Sequence, residues 1–375
     1  MRLHLAVLCT FALTNLAADC CPPPSPQPCC PLMQKCSPEN YKCSGTTFEV
    51  YGQWLFLQPN GSNIYYAAEA FPFDNAIATP PVSPNWQIFE IDPSYHSGFE
   101  VGTRFIFPNH DLYLKLDWEW LHTLDKESMD VAPESLGTGN MVGPIFDIGP
   151  SAAAYTQAKG KAVFQFDEVN CTFGKSLCFV GGLTLRVFTG AGFLRIKQSV
   201  TSTFSNSTAS TSRTISAPST FIGAGPEFGA DFDYRLCGRL YFTGSSSAAL
   251  YMGQLKNHTT FKSTSPFLPS LFGVSNPNVQ HTSVPDRTQL IPGFEEKLGF
   301  SYITSLCSSK WTFAFGYQFQ IYLNAIQSMD MTAPQVIPSL SPAITPDVGV
   351  YAVGFERTLS NFILTGPYVS LNVDF

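Results

Sequence analysis

Carboxylates and amines recur in this chain at alternate positions, with large apolar side chains between them. From Leu112 to Leu121, Lys115, Asp117 and Glu119 share one face, and Leu112, Leu114, Leu116, Trp118 and Trp120 share the other. Two neighbouring carboxylates invite an acid–base reading. Their alternation with Trp118 and Trp120 points instead to a strand with one polar and one apolar wall. The same spacing sets Glu100 and Arg104 against Phe99, Val101, Phe105 and Phe107. It sets Lys159, Lys161, Gln165 and Asp167 against Ala158, Ala162, Phe164 and Phe166. Glu227, Asp231 and Asp233 oppose Ile222, Ala224, Phe228, Ala230 and Phe232. Arg239 opposes Leu240 and Phe242. Glu295 and Lys297 oppose Phe294, Leu298 and Phe300, with Glu296 on the apolar side. Arg186 and Asp374 complete the polar set.

Other chemistry is sparse. The sequence holds no GxSxG, HExxH or P-loop pattern, and its six histidines are scattered. The Gly223–Gly225 pair lies inside a strand pattern. No catalytic, cofactor-binding or metal-ligating residue is expected, no cofactor is expected, and the chain is not expected to be an enzyme. Cysteine is the exception. Cys20, Cys21, Cys29, Cys30, Cys36 and Cys43 crowd a segment, residues 19–45, that also holds seven prolines. Proline at this density forbids a helix and removes ladder donors, so an irregular or polyproline-like arm is expected. A zinc site lacks support there, because the arm has neither a CxxC pair nor a histidine. Cys171, Cys178, Cys237 and Cys307 fall in or beside predicted short turns. All ten cysteines are disulfide candidates, with their pairing open. Cys171 and Cys178 either clip one hairpin or join the arm in cross-linking.

The elements that must carry these residues follow from composition. The chain has 375 residues, a net charge of −7, 13% charged and 14% aromatic residues, and 32 phenylalanines. A soluble domain carries roughly 25% charge, so much of this surface must avoid water. No run reaches the ~18–20 apolar residues of a membrane helix. The balance of 21 Lys+Arg against 28 Asp+Glu argues against a nucleic-acid surface. What remains is an all-β protein. Residues 1–18 read as a signal peptide: Arg2, an apolar run from Leu3 to Leu16, and cleavage after Ala18. Export fits disulfide-bearing cysteines.

From Phe48 onward the period-two pattern dominates. Its clearest stretch places Trp311, Phe313, Phe315, Tyr317, Phe319, Ile321 and Leu323 on one face. Thr312, Ala314, Gly316, Gln318, Gln320, Tyr322 and Asn324 take the other. Such runs exceed the globular mode of ~5–6 residues and match the ~9–11 needed to cross a bilayer. From Cys178 to Phe204 the phase slips near Gly190 and Gly192, which predicts a bulge or glycine kink. Short connections are expected at Pro108–His110, Cys171–Cys178, Tyr234–Gly238 and Leu306–Lys310. Long ones are expected at Asn60–Ser94, Thr123–Pro150, Ser205–Ser219, Gly253–Thr288 and Ala325–Pro346. This asymmetry predicts a transmembrane antiparallel β-barrel of about 10–12 strands over residues 46–375, with periplasmic turns and extracellular loops. The terminal Phe375, with Leu371, Val373 and Val369 on its face, resembles the signal read by the barrel assembly machinery.

A resemblance adds to this reading. Phe48 to Pro59, Gly98-Phe99-Glu100-Val101-Gly102, Pro108 to Leu112 and Trp118 to Thr123 resemble the Legionella-type major outer membrane proteins, a group that also occurs in Chlamydia-like bacteria. Phe315 to Phe319 and Leu364 to Phe375 fit the same family. The Cys/Pro-rich arm departs from its usual pattern and points to a Chlamydia-like envelope. The resemblance implies an abundant, surface-exposed porin with roles in host-cell attachment, and it supplies no catalytic residue.

Taken together, the sequence predicts a porin in which Glu100, Arg104, Lys115, Asp117, Glu119, Lys159, Lys161, Asp167, Arg186, Glu227, Asp231, Asp233, Arg239, Glu295 and Lys297 line the pore. A modest carboxylate excess gives weak cation preference. The competing reading is a structural or adhesive surface protein whose narrow lumen is filled by a salt-bridge ladder. A secreted eukaryotic β-sandwich is the third. Expected partners are outer-membrane lipid, the assembly machinery, and further copies of itself or other Cys-rich envelope proteins.

Overall fold

The computed structural model describes residues 47–61, 64–70, 86–107, 111–130, 141–143, 155–179, 181–206, 211–264, 279–283, 285–306, 309–335 and 352–375. The predicted signal peptide and all six arm cysteines lie outside them, as does Cys307. In chain order the strands are β1 (Thr47–Gly61), β2 (Tyr65–Ala70), β3 (Trp86–Glu90), β4 (His96–Ile106), β5 (Leu112–Asp130), β6 (Met141–Gly143) and β7 (Gln157–Phe179). They continue as β8 (Leu183–Asn206), β9 (Thr211–Cys237), β10 (Leu240–Ser263), β11 (Val279–Ser283), β12 (Arg287–Leu306), β13 (Ser309–Gln335) and β14 (Ala352–Asp374).

Ten of these strands form one antiparallel ring in the order β1-β4-β5-β7-β8-β9-β10-β12-β13-β14, which closes because β14 pairs with β1. Closure removes both sheet edges, so no ladder donor or acceptor faces an apolar solvent. The short β11 extends the sheet beside the far end of β10, and β2, β3 and β6 make a separate three-stranded sheet. Among the described residues no helix is long and apolar enough to cross a membrane, which does not bear on strands.

The wall of the ring changes character along its height. Near the short turns the outward side chains are apolar: Trp54, Phe228, Phe315 and Val369 are each 60–66% exposed. The inward ones there are polar and buried, among them Glu49, Glu100, Asp117 and Gln318. Toward the long connections the pattern inverts without any change of phase. On β7, Phe164 and Phe166 point inward and are fully buried, while Lys159, Lys161 and Asp167 take the outward parity. On β8, Phe193 faces out and Arg186 in, yet a few residues later Arg195 and Lys197 face out and Leu194 and Ile196 in. This inversion is what the sequence pattern registered as a slip near Gly190 and Gly192. Both ladders of β8 run in unbroken register through those glycines, so neither a bulge nor a kink is present. The strand simply leaves one solvent and enters another.

Several connections differ from expectation. Cys171–Cys178 is not a turn: β7 runs through it to Phe179, and the turn lies at Gly181–Gly182. There Gly181 (φ 96°) and Gly182 (φ 84°) adopt the left-handed conformation that side chains resist. Cys171 and Cys178 are thus separated by ~23 Å at ~3.3 Å per residue, beyond the ~7 Å limit for a disulfide, and cannot clip a hairpin. The reversal expected at Tyr234–Gly238 falls at Gly238–Arg239. Ser205–Ser219 is mostly strand, with only residues 207–210 between β8 and β9. Parts of the other expected loops are strand as well, since β5 reaches Asp130, β10 Ser263 and β13 Gln335.

If the lower outer wall meets lipid, Phe315→Arg should cost about 2–4 kcal/mol. Thr201→Arg, on the outer wall above the belt, should stay within about 0.5 kcal/mol. Urea titration of the heat-modifiable folded band measures both, and equal costs would contradict a lipid-facing belt.

Candidate functional site: a charged chamber beneath an aromatic layer

The lower lumen is a chamber of about 320 Å³. Of the predicted lining residues, Glu100, Arg104, Lys115, Asp117, Glu119, Arg186, Glu227, Asp231, Asp233, Glu295 and Lys297 surround it. Four do not. Lys159, Lys161 and Asp167 belong to the upper outer wall, where the polar parity points to water. Arg239 sits exposed at a turn, donating to Thr304 Oγ1 at 3.3 Å. Glu49, Lys310 and Asp374 join the chamber, which then holds nine carboxylates against five cationic groups.

These groups reach one another across the ring. Lys297 on β12 contacts Glu100 on β4 at 2.7 Å and its own strand's Glu295 at 2.7 Å. Arg104 on β4 holds Glu49 at 3.0 Å and approaches Asp231 on β9 at 3.8 Å. Arg186 meets Asp233 at 2.7 Å, and Lys115 meets Asp117 at 3.0 Å. Gln318 and Gln320 on β13 donate to Glu119 on β5 at 3.1 and 2.9 Å. At the top, Tyr322 donates to Glu168 at 2.7 Å, and Tyr251 donates to the same carboxylate. Tyr51 donates to Glu100 at 3.2 Å, its ring lying over Gly102, where a Cβ would come within 2.5 Å of it. Glycine on one strand thereby seats a tyrosine from the next. Buried charges persist only when paired and hydrogen-bonded. Among the described residues several buried atoms have no hydrogen-bond partner, including Glu227 Oε2, Asn170 Oδ1 and Gln318 Oε1. Such a polar chamber is one that water enters.

Directly above Glu168 an apolar layer crosses the lumen, and higher still Gln198, Asn257 and Gln327 are buried polar side chains. Leu55, Leu57, Leu121, Phe164, Phe166, Leu194, Ile196, Phe221, Tyr251, Leu255, Ile291, Tyr322, Phe362 and Leu364 form one cluster, each at most 2% exposed. Nine of the ten ring strands contribute to it. Phe166 on β7 lies 5.5 Å from Tyr322 on β13, five strands away in a ring of ten, so the contact spans a diameter. Phe166 and Phe164 also each lie 6.0 Å from Phe362 on β14. The segment after β1 folds inward over this layer: Ile64, Tyr66 and Ala67 are buried, and Tyr66 lies over Gly160 on the inner face of β7.

That segment is tied to the wall by one polar cluster. Asp125, nearly buried on β5, accepts from the Ser94 backbone N–H (3.0 Å) and hydroxyl (2.8 Å), and His96 Nε2 lies 2.9 Å from it. Serine, histidine and aspartate in contact suggest a relay. A relay needs the carboxylate and the hydroxyl on different ring nitrogens. Here Ser94 Oγ (3.2 Å) and Asp125 both address Nε2, so the cluster is an anchor. No group of three or more His, Cys, Asp or Glu side chains suited to a metal occurs among the described residues.

Sequence reasoning missed Glu168, Tyr251 and the seal itself. Extending the alternation past Asp167 to Glu168, Asn170 and Thr172 would have found the first. The seal gave no local signal, because alternation defines two faces without saying which is inward.

Over residues 40–375 the sequence matches the family described as Legionella pneumophila major outer membrane protein precursor. No curated protein matches it. Among solved structures, the outer membrane protease OmpT from Escherichia coli is similar at 7% identity and a TM-score of 0.38, with 88% of this chain and 97% of that one covered. A Pseudomonas aeruginosa FadL homologue gives 6% identity and a TM-score of 0.23, covering 88% and 90%. The P. putida toluene transporter TodX gives 5% and 0.20, covering 89% and 90%. Scores this low do not bear on activity.

Lys297→Met should destabilise the folded barrel by about 3–5 kcal/mol, because it strands the buried Glu100 and the partly buried Glu295. Adding Glu100→Gln and Glu295→Gln should recover most of that loss. Urea unfolding in detergent measures both; a neutral single variant would mean that water already screens the pair.

Proposed function

Since the chain belongs to the Legionella pneumophila major outer membrane protein family and therefore lies in the bacterial outer membrane, we propose that it serves there as a surface barrel whose lumen is closed at rest. The aromatic contact across the full diameter carries this reading. A standing-open porin needs a continuous aqueous path, and a layer of side chains at most 2% exposed does not offer one. In this reading the short turns face the periplasm and the long connections face outward, forming the adhesive or structural surface.

A second reading, a narrow channel for small hydrophilic solutes, is favoured by the chamber alone. Its carboxylate excess and its unpartnered polar atoms suit hydrated cations. Passage would require the Phe166–Tyr322–Phe362 layer to part. Disulfide reinforcement belongs to the same proposal. Cys237 is exposed beside a short turn, on the rim from which β1 begins and to which the arm is joined. Cys171, by contrast, takes the outward parity of Val169 and Phe173 and would face lipid.

In planar bilayers the wild-type protein should give little steady conductance, and Phe166→Ala with Phe362→Ala should raise it several-fold. Stable large channels from the wild type would overturn the closed reading and restore the porin. On non-reducing gels of envelope fractions, Cys237→Ser should weaken high-mass bands while Cys171→Ser leaves them. A wild-type monomer band indifferent to reductant would end the cross-linking idea.

A further inference from the structure

We propose that the outer wall of β5, β7 and β8, above the apolar belt, binds the phosphate groups of the anionic glycolipid of the outer leaflet; this rests on the orientation proposed above. The register sets the wall out in rows. Trp118, Val169 and Phe193 stand side by side and face outward with the belt. The next row holds Trp120, Asp167 and Arg195, and the one above it His122, Gln165 and Lys197. Higher still, Lys126 stands directly opposite Lys161, with Lys159 one row beyond.

Three features set this wall apart. First, its cations are concentrated: five of the chain's 21 Lys+Arg lie here, although the chain as a whole carries −7. Beside these rows the upper end of β8 carries Thr201 and Thr203 on its outer face, and the next strand, β9, carries Ser216 and Thr214 opposite them, with no charge. Second, the cations lack countercharge. Arg195 meets Asp167 at 3.6 Å, but among the described residues no carboxylate pairs with Lys126, Lys159, Lys161 or Lys197. Asp130, at the top of the wall, accepts from Gln157 at 2.6 Å. Like charges directly opposite on neighbouring strands repel. A wall selected only for solubility would mix its signs. An anion bridging Lys126 and Lys161 removes the repulsion. Third, the height is right. Lys197 stands roughly 10 Å and the Lys126–Lys161 row roughly 20 Å above the Trp118 row, taking ~3.3 Å per residue and a tilt of ~40°. These are the levels at which a phosphorylated outer-leaflet glycolipid presents its phosphates and acidic core sugars, beyond its acyl chains. The belt below supplies an apolar wall for those chains.

The test uses the folded full-length barrel in detergent. It is titrated with a core-bearing phosphorylated lipopolysaccharide and with the same glycolipid stripped of phosphate. The wild type should bind the phosphorylated lipid at least about tenfold more tightly, and K126E/K161E/K197E should lose that preference. Lys126→Ala with Lys161→Ala is the milder pair should the charge reversal not fold. Lys256→Glu, at a cation already paired with Asp286 at 3.0 Å on another wall, should change nothing. Equal binding of the two lipids by the wild type would overturn the proposal, as would an unchanged preference in both variants. Displacement by an equal concentration of inorganic phosphate would overturn it too, leaving a non-specific anion site. An epitope placed in residues 265–278 should label on intact cells. Failure to label would overturn the orientation and the leaflet, while the binding titration would still stand as measured.

Discussion

A closed ring of ten strands has a fixed and small radius, and everything inside it follows from that. Closure is not optional: a backbone surrounded by lipid has no other way to satisfy its N–H and C=O groups. With eight strands a barrel interior is just wide enough for side chains to fill, and ten adds little. Lys297 therefore reaches Glu100 across the lumen, and Phe166 reaches Tyr322. The interior is a packed core in its upper part and a polar network in its lower part. Which of the two appears at a given height is decided by what lies outside.

This explains why one ladder serves two environments. In the lower wall the outside is apolar, so Phe315 and Val369 face it and the charges turn inward. In the upper wall the outside is water, so Lys159 and Lys161 face it and the phenylalanines turn inward. Strands such as β9 and β13, each of 27 residues, are far longer than the ~9–11 needed to span a bilayer. The surplus is a soluble β-structure built on the membrane one, sharing its hydrogen bonds.

The sequence was legible wherever one environment held over a whole run. Leu112–Leu121 and Trp311–Tyr322 were read with the correct faces, because each lies mostly within the belt. The run from Ala158 to Asp167 was read with correct alternation and reversed faces. Period two separates the walls, and only context says which one meets lipid. The same ambiguity turned a change of solvent at Gly190–Gly192 into an apparent slip. Loop lengths were overestimated for a related reason: Ser205–Ser219 looks like a solvated loop, yet from Thr211 on it is strand, with Thr214 and Ser216 on its outer face. Of the lumen residues, charges in the belt were recovered. Glu168 was missed because it sits one residue past the end assigned to its strand.

The height of the inversion also determines where the polar chamber must end. Glu168 lies level with Glu119 and Leu194 across its neighbours, and beside them on the outer face Trp118, Val169 and Phe193 mark the top of the belt. A carboxylate at that level has aromatic rings above it and charges below. It remains there because Tyr251 and Tyr322 donate to it from the opposite wall while their rings belong to the seal. The two tyrosines therefore join the polar and apolar halves of the lumen. Any motion that opened the seal would have to withdraw hydrogen bonds from a buried carboxylate at the same time. The aromatic layer and the charge network below it are thus coupled through these two tyrosines, each of which belongs to both.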